Sequence, residues 1–174
     1  MLAKAGYAGG RNFPEINLYY TTQFAGYNEQ VMELIQQQLQ TNLGVHVNLR
    51  NFPRQAFVST VRDPAQRPAL WAWTFGADIP DASTLTSFFG LTGAPFNFEV
   101  WSNKKYDALV NKALTTSSDT KRSKLFAQSE LIRMKAAVVL PLYYPNETWL
   151  VKPRVRGFGY ANALLRPFNL MALR

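Results

Sequence analysis

Strand-like and helix-like stretches alternate through the first ninety residues, and that alternation restricts the fold more than any other feature of the chain. Glu15–Thr22 (Glu-Ile-Asn-Leu-Tyr-Tyr-Thr-Thr) alternates and is rich in β-formers, the pattern of a strand. Asn28 stands where a helix cap belongs, with Glu29 in the positive first turn and Gly44 just past the end. Between them Val31, Leu34, Ile35 and Leu39 recur at the spacing of one buried stripe. Val45, Val47 and Leu49 then alternate with His46, Asn48 and Arg50, as in a half-buried strand. Pro53–Val61 predicts a short helix broken by Asp63-Pro64. Ala69–Phe75 (Ala-Leu-Trp-Ala-Trp-Thr-Phe) is apolar on both faces, as a central strand should be. The succession predicts βαβ units around a mainly parallel sheet flanked by helices, an α/β fold.

Beyond the turn at Gly76–Asp81 a helix is expected from about Ala82 to Phe89, followed by a Gly-, Pro- and Asn-rich loop through Asn97. Ser102 or Asn103 caps the next helix, in which Tyr106, Leu109, Val110 and Ala113 share a face. Ser118 or Asp119 starts a longer one with Leu125, Ser129, Ile132 and Ala136 inward. Leu140–Tyr144 and Thr148–Val151 predict short strands around Pro145-Asn146. The remainder, with Pro153, Gly157, Gly159 and Pro167, shows little periodicity. At the other end, Leu2, Ala3 and Ala5 look like the close of a helix stopped by Gly6, Gly9 and Gly10, as though the chain were cut from something longer.

Composition removes several classes of function. With 47% hydrophobic and 17% charged residues the chain is globular rather than disordered. It has no cysteine, which excludes disulfides, thiolate zinc sites and thiol nucleophiles. No apolar run approaches the ~20 residues that span a bilayer. Met1–Gly6 is not followed by the hydrophobic core of a secretory signal, so any targeting segment of a secreted parent lies ahead of Met1. The single histidine, His46, falls mid-strand on the polar face, where a solvent-facing role outweighs a catalytic one. Neither a Gly-x-Ser-x-Gly elbow nor a Walker-type loop is present, and a Gly-x-Gly-x-x-Gly fingerprint is also lacking. The acids do not cluster around a histidine, so no metal or cofactor is expected. The chain reads as a binding protein and not an enzyme.

The formal charge of +8 is unevenly placed. Six Lys/Arg balance six Asp/Glu through Ser87, whereas thirteen face five from Phe88 onward. A nucleic-acid or anionic-lipid surface is one explanation, and a basic nucleic-acid-binding α/β domain is the alternative function this charge would support. Scattered basic residues with no run favour a solvated face, so no nucleic acid is expected as a partner.

Asp78 and Asp81 come closest to a paired-carboxylate site. Asp81 has an ordinary explanation as the N-cap of the following helix. Asp78 lies just past the carboxyl end of the predicted central strand, where open α/β sheets place ligand crevices. It is flanked by the small residues Gly76 and Ala77 and near Trp73 and Phe75. A carboxylate in such surroundings wants a cation or several N–H donors. Spacing alone leaves a ligand role and a turn-capping role both open.

The stretch Phe75-Gly76-Ala77-Asp78-Ile79-Pro80-Asp81-Ala82-Ser83-Thr84 resembles the hallmark segment of the peptide/nickel-type extracellular solute-binding proteins of ABC importers. Leu2–Gly10, Gln38–Leu49, Ser102-Asn103-Lys104-Lys105-Tyr106-Asp107, Leu140–Tyr144 and Val151–Gly157 resemble further segments of that family, in the same order. The resemblance implies a periplasmic-binding-protein-like lobe: residues 1–157 as the C-terminal α/β lobe of a two-lobed receptor, and residues 158–174 as a tail returning to the other lobe. It implies capture of a peptide or similar small solute, ABC importer membrane subunits as partners, and a missing N-terminal lobe. A periplasmic or extracellular location follows, with room for a membrane anchor in that missing part. The aspartate at the position of Asp78 takes the free α-amino group of a bound peptide, and backbone groups of Thr74, Phe75 and Gly76 pair with its main chain like an added strand. Trp73 and Ala77 complete the expected ligand-binding set. Phe75 stands where peptide binders often carry tryptophan and Thr74 where glycine is frequent, which leaves the ligand class open.

Overall fold

The structure, a computed structural model, describes residues 1–23, 28–77, 79, 81–143, 150–156, 158 and 172–173. The chain divides into two compact units, Met1–Phe75 and Gly76–Arg174.

The first unit is built on a three-stranded parallel sheet. Strand β1 (Ile16–Tyr20) leads through helix α1 (Asn28–Leu43) to β2 (Val47–Asn51), and helix α2 (Arg54–Arg62) leads to β3 (Leu70–Trp71). The spatial order is β2-β1-β3, with Ile16 opposite Val47 and Leu18 opposite both Leu49 and Leu70. Two consecutive parallel crossovers therefore put β1 in the middle, as the alternating sequence pattern predicts. The period of two turns Leu18 and Tyr20 into the core, where they meet Val45, Val47 and Met32. Val31, Ile35 and Leu39 of α1 pack on this cluster. Leu34, expected in the same stripe, is 52% exposed. At 100° per residue it lies roughly a third of a turn from the face centred on Ile35 and Met32. On α2, Phe57 and Val61 are fully buried one turn apart.

The stretch Ala69–Phe75 departs from its expected role as a long central strand. Only Leu70 and Trp71 pair, and they do so at the edge of the described sheet. The Tyr19 carbonyl accepts from Ala72 N–H at 2.8 Å on this side of β1, and the Tyr20 carbonyl accepts from Phe52 N–H at 2.9 Å on the other.

Two short 3₁₀ turns, Leu2–Ala5 and Ala8–Gly10, precede the sheet. Gly10 (φ 76°) crosses directly over Gly44 (φ 68°), the residue that ends α1. A Cβ added to Gly10 would overlap the Gly44 carbonyl, and one added to Gly44 would overlap that of Gly9. Both residues must be glycine, for room as well as for the left-handed backbone.

The second unit packs helices α3 (Ala82–Gly90), α4 (Lys104–Leu114) and α5 (Asp119–Lys135) together and adds an antiparallel pair, β4 (Val155–Arg156) and β5 (Ala172–Leu173). Asn103 caps α4 by accepting from the Lys105 and Tyr106 N–H groups at 3.0 and 3.1 Å. Tyr106, Val110 and Ala113 recur along α4 as one buried stripe and meet Phe126 of α5, with Leu125 and Ile132 alongside. Ser129 is buried as expected. Ala136, expected inward, is exposed because α5 has already ended and Ala136 caps it. Leu140–Tyr143 forms no strand and is exposed, and Leu150 and Val151 are likewise unpaired in any sheet. These segments have no neighbouring strand among the described residues. Tyr144 and Thr148–Trp149 lie outside them.

Asn97 bridges the loop between α3 and α4. Asn97 donates to the carbonyls of Leu91 (3.0 Å) and Trp101 (2.7 Å) and accepts from the Trp101 N–H (3.1 Å). It does so while nearly buried, so the loop rich in turn residues is fixed by satisfied polar contacts.

Candidate functional site

Because β1, β2 and β3 are parallel, their carboxyl ends lie along one edge of the sheet of the first unit. Open α/β sheets bind ligands outside that edge. The segment that leaves it after β3 carries every residue of the expected ligand-binding set.

Trp73 is half-buried and makes edge-to-face contacts with Phe57 of α2 (ring centroids 5.8 Å apart) and with Phe75 (6.1 Å). Phe57 is itself fully buried, so Trp73 rests on a core residue of the first unit, and Phe75 packs against Trp73. Such aromatic contacts add about 0.5–1.5 kcal/mol each to simple burial. Thr74 and Ala77 are half-buried, and Gly76 is exposed. The boundary between the two units falls between Phe75 and Gly76, inside the segment. Asp78, the expected anchor, lies outside the described residues, as does Pro80.

Asp81 has a different employment. Its carboxylate accepts from the Ser83 N–H at 2.8 Å, which makes it the N-cap of α3, as its place in the sequence predicts. Its two oxygens also receive the guanidinium of Arg122 from α5, Nη2 to Oδ1 at 2.8 Å and Nη1 to Oδ2. The Arg122 and Ser83 hydrogen bonds hold the Asp81 carboxyl well below the usual carboxylate range. Arg122 sits over the Phe126 ring, 5.0 Å from its centroid. Forty residues of intervening chain hide this partnership from sequence patterns. The Asp81 N–H donates to the Ile79 carbonyl at 2.7 Å.

His46 is exposed just before β2, and its carbonyl accepts from the Ile16 N–H. It borders a polar depression of about 330 Å³ with Glu15, Gln36, Gln40 and Asn48, at the amino-terminal end of the strands. That is the opposite end of the sheet from the candidate segment. Among the described residues no three His, Cys, Asp or Glu side chains come together as a metal site. No described helix is long and apolar enough to cross a membrane.

No family model matches the chain. Whole-protein relatives do. The dipeptide-binding protein DppE of Bacillus subtilis is 30% identical over 146 residues, 83% of this chain and 26% of its own length. The chain is a homologue of the oligopeptide- and dipeptide-binding solute receptors. The periplasmic oligopeptide-binding protein OppA of Salmonella typhimurium is 28% identical over 91% of this chain and 28% of its own. The structure of OppA from Burkholderia pseudomallei superposes with a TM-score of 0.80 at 26% identity, covering 99% of this chain and 33% of that one. The fold is thus a periplasmic-binding-protein-like α/β lobe, and the chain spans about a quarter of the length of the curated relatives it matches.

Proposed function

We propose that the chain supplies one lobe of a two-lobed receptor for an ABC importer, which captures a peptide or similar small solute in the cleft between its lobes. The observation that carries this reading is the similarity, over four-fifths or more of the chain, to proteins named for binding dipeptides and oligopeptides. Residues 1–157 form the C-terminal lobe, and the tail from Phe158 returns to the other lobe. The receptor works in the periplasm or outside the cell. It hands its solute to the importer's membrane subunits and performs no chemistry on it.

In this reading Asp78 takes the ammonium group of the ligand. An ammonium in a partly dry cleft needs a carboxylate, and such charged hydrogen bonds contribute about 1.5–3 kcal/mol. Backbone groups from Thr74 to Gly76 pair with the ligand main chain, Trp73 and Phe75 wall the site, and Ala77 keeps the approach open. Main-chain pairing gives affinity without reading side chains, which suits a receptor for many sequences. A relative named a probable deoxycholate-binding protein, 32% identical over 120 residues, favours a broader ligand range as the second reading.

The test is Asp78→Ala in the polypeptide that carries both lobes. Calorimetric affinity for a short peptide should weaken by about 1.5–3 kcal/mol. Unchanged affinity would remove the amino-anchor role.

A further inference from the structure

The segment expected to meet the ligand is anchored to the first unit at two consecutive residues. Ala72 donates its N–H to the Tyr19 carbonyl at 2.8 Å and packs on the core cluster that holds Leu18, Tyr20 and Met32. Trp73 meets α2, its ring edge to face with that of Phe57, 5.8 Å between centroids and 75° between planes. Successive side chains of an extended chain leave on opposite faces, so anchoring both fixes the rotation of the backbone about its own axis.

Phe75 extends the row of rings. It meets Trp73 at 6.1 Å and 88°, so the two rings, two residues apart, lie on one side of the segment. The main chain of Thr74, whose groups are expected to pair with a ligand, is carried between two side chains whose directions this row sets.

Phe57 is the fixed end of the row. It is fully buried, with Val61 buried one turn further along α2. The start of α2 is tied to the carboxyl end of β1: Phe52 N–H donates to the Tyr20 carbonyl at 2.9 Å, and Arg54 N–H to Gln23 Oε1 at 3.0 Å. Close packing leaves a buried ring few alternative positions, whereas Trp73 and Phe75 are only half-buried. A half-buried indole in edge contact with such a ring takes its orientation from it.

We propose that Phe57 is a positioning residue of the ligand site. Buried out of a ligand's reach, it sets the Trp73 ring and, through it, the path of the backbone at Thr74 and Phe75. The proposal rests on the peptide-receptor reading above and adds to it a residue of α2, outside the expected ligand-binding set. Its effect is preorganisation: a segment already held in its bound path loses less conformational freedom when a ligand pairs with it.

The test is calorimetric titration of trialanine into the polypeptide that carries both lobes, with near-ultraviolet circular dichroism of the 174-residue chain. Phe57→Leu keeps the position apolar and removes the ring. Trialanine affinity should fall about tenfold at unchanged stoichiometry, the cost of re-ordering one loosened backbone residue. Val61→Ala, a buried change on the same helix, should lower stability and leave affinity at the parental value. The tryptophan bands of the spectrum should change with Phe57→Leu, and should not change when that substitution is made in a Trp73→Phe background. Phe57→Met, also without a ring, should act in the same way and serves where the leucine variant does not fold. Parental affinity in Phe57→Leu, or an equal loss in Val61→Ala, would overturn the proposal and leave the receptor reading intact. Tryptophan bands indifferent to Phe57→Leu would overturn it too, because Trp73 would then take its orientation elsewhere. A parent that binds no trialanine overturns the peptide reading, and the proposal with it.

Discussion

Arg122 of α5 holds both carboxylate oxygens of Asp81, the residue that opens α3. One side chain thus does two jobs: it caps a helix and ties that helix to another. Asp81→Ala should cost about 1 kcal/mol from the lost cap alone, measured as a shift in the urea midpoint. A variant as stable as the parent would mean that water replaces the cap without loss.

The same pair makes stability depend on pH in a defined direction. The folded Asp81 carboxyl ionises at lower pH than the unfolded one. Its stabilisation is therefore complete above the ordinary aspartate pKa of about 4 and is lost as pH falls through the acid range. Arg122→Gln should be less stable than the parent at neutral pH, and the gap should narrow as the pH drops below about 4. Denaturation curves at neutral and acid pH check this. A gap that stays constant would assign the effect of Arg122 to its packing on Phe126.

Gly90 has no room for a side chain. A Cβ there would overlap the hydroxyl and ring of Tyr106, which is fully buried and donates to the Thr86 carbonyl at 2.8 Å. Gly90→Ala should destabilise by about 1–3 kcal/mol through overpacking. Tyr106→Phe removes the hydroxyl's hydrogen bond and should cost about 1–3 kcal/mol. Because the two residues touch, the double variant should depart from the sum of the singles. Strict additivity in thermal or urea unfolding would show that the helices separate to admit the methyl.

Asn97 satisfies two carbonyls and one N–H across the loop from α3 to α4. Asn97→Ala leaves those groups without their partner, at a cost of about 2–3 kcal/mol. Amide exchange should accelerate at Trp101, whose N–H the side chain now holds. Unchanged exchange there would show that the loop closes without Asn97.

Much of this fold is written in local patterns. Alternation marked β1 and β2, and helical spacing marked Tyr106, Val110 and Ala113 as one face. Asp81 marks one helix start and Ser102-Asn103 another, with Asn103 the residue that caps, because a cap acts within three residues of itself. What escaped depends on distant partners. Nothing near Arg122 names Asp81, and nothing near Arg133 explains why a cation is buried. Its guanidinium donates to the Phe89 carbonyl at 3.0 Å, a contact made by folding α5 across α3. The contact of Trp73 with Phe57 is likewise invisible to local pattern, because α2 and the segment after β3 meet only on folding.

The crossing of Gly10 over Gly44 has an evolutionary consequence. The space each glycine occupies is bounded by the other's backbone or that of its neighbour. A methyl at either site pushes on main chain, which cannot change rotamer to make way. No compensating substitution at the partner can relieve it, since neither residue has anything left to remove. The two positions therefore form a dead end for sequence drift: variation can leave this crossing only by rerouting the backbone, through a changed length of the first turns or of α1.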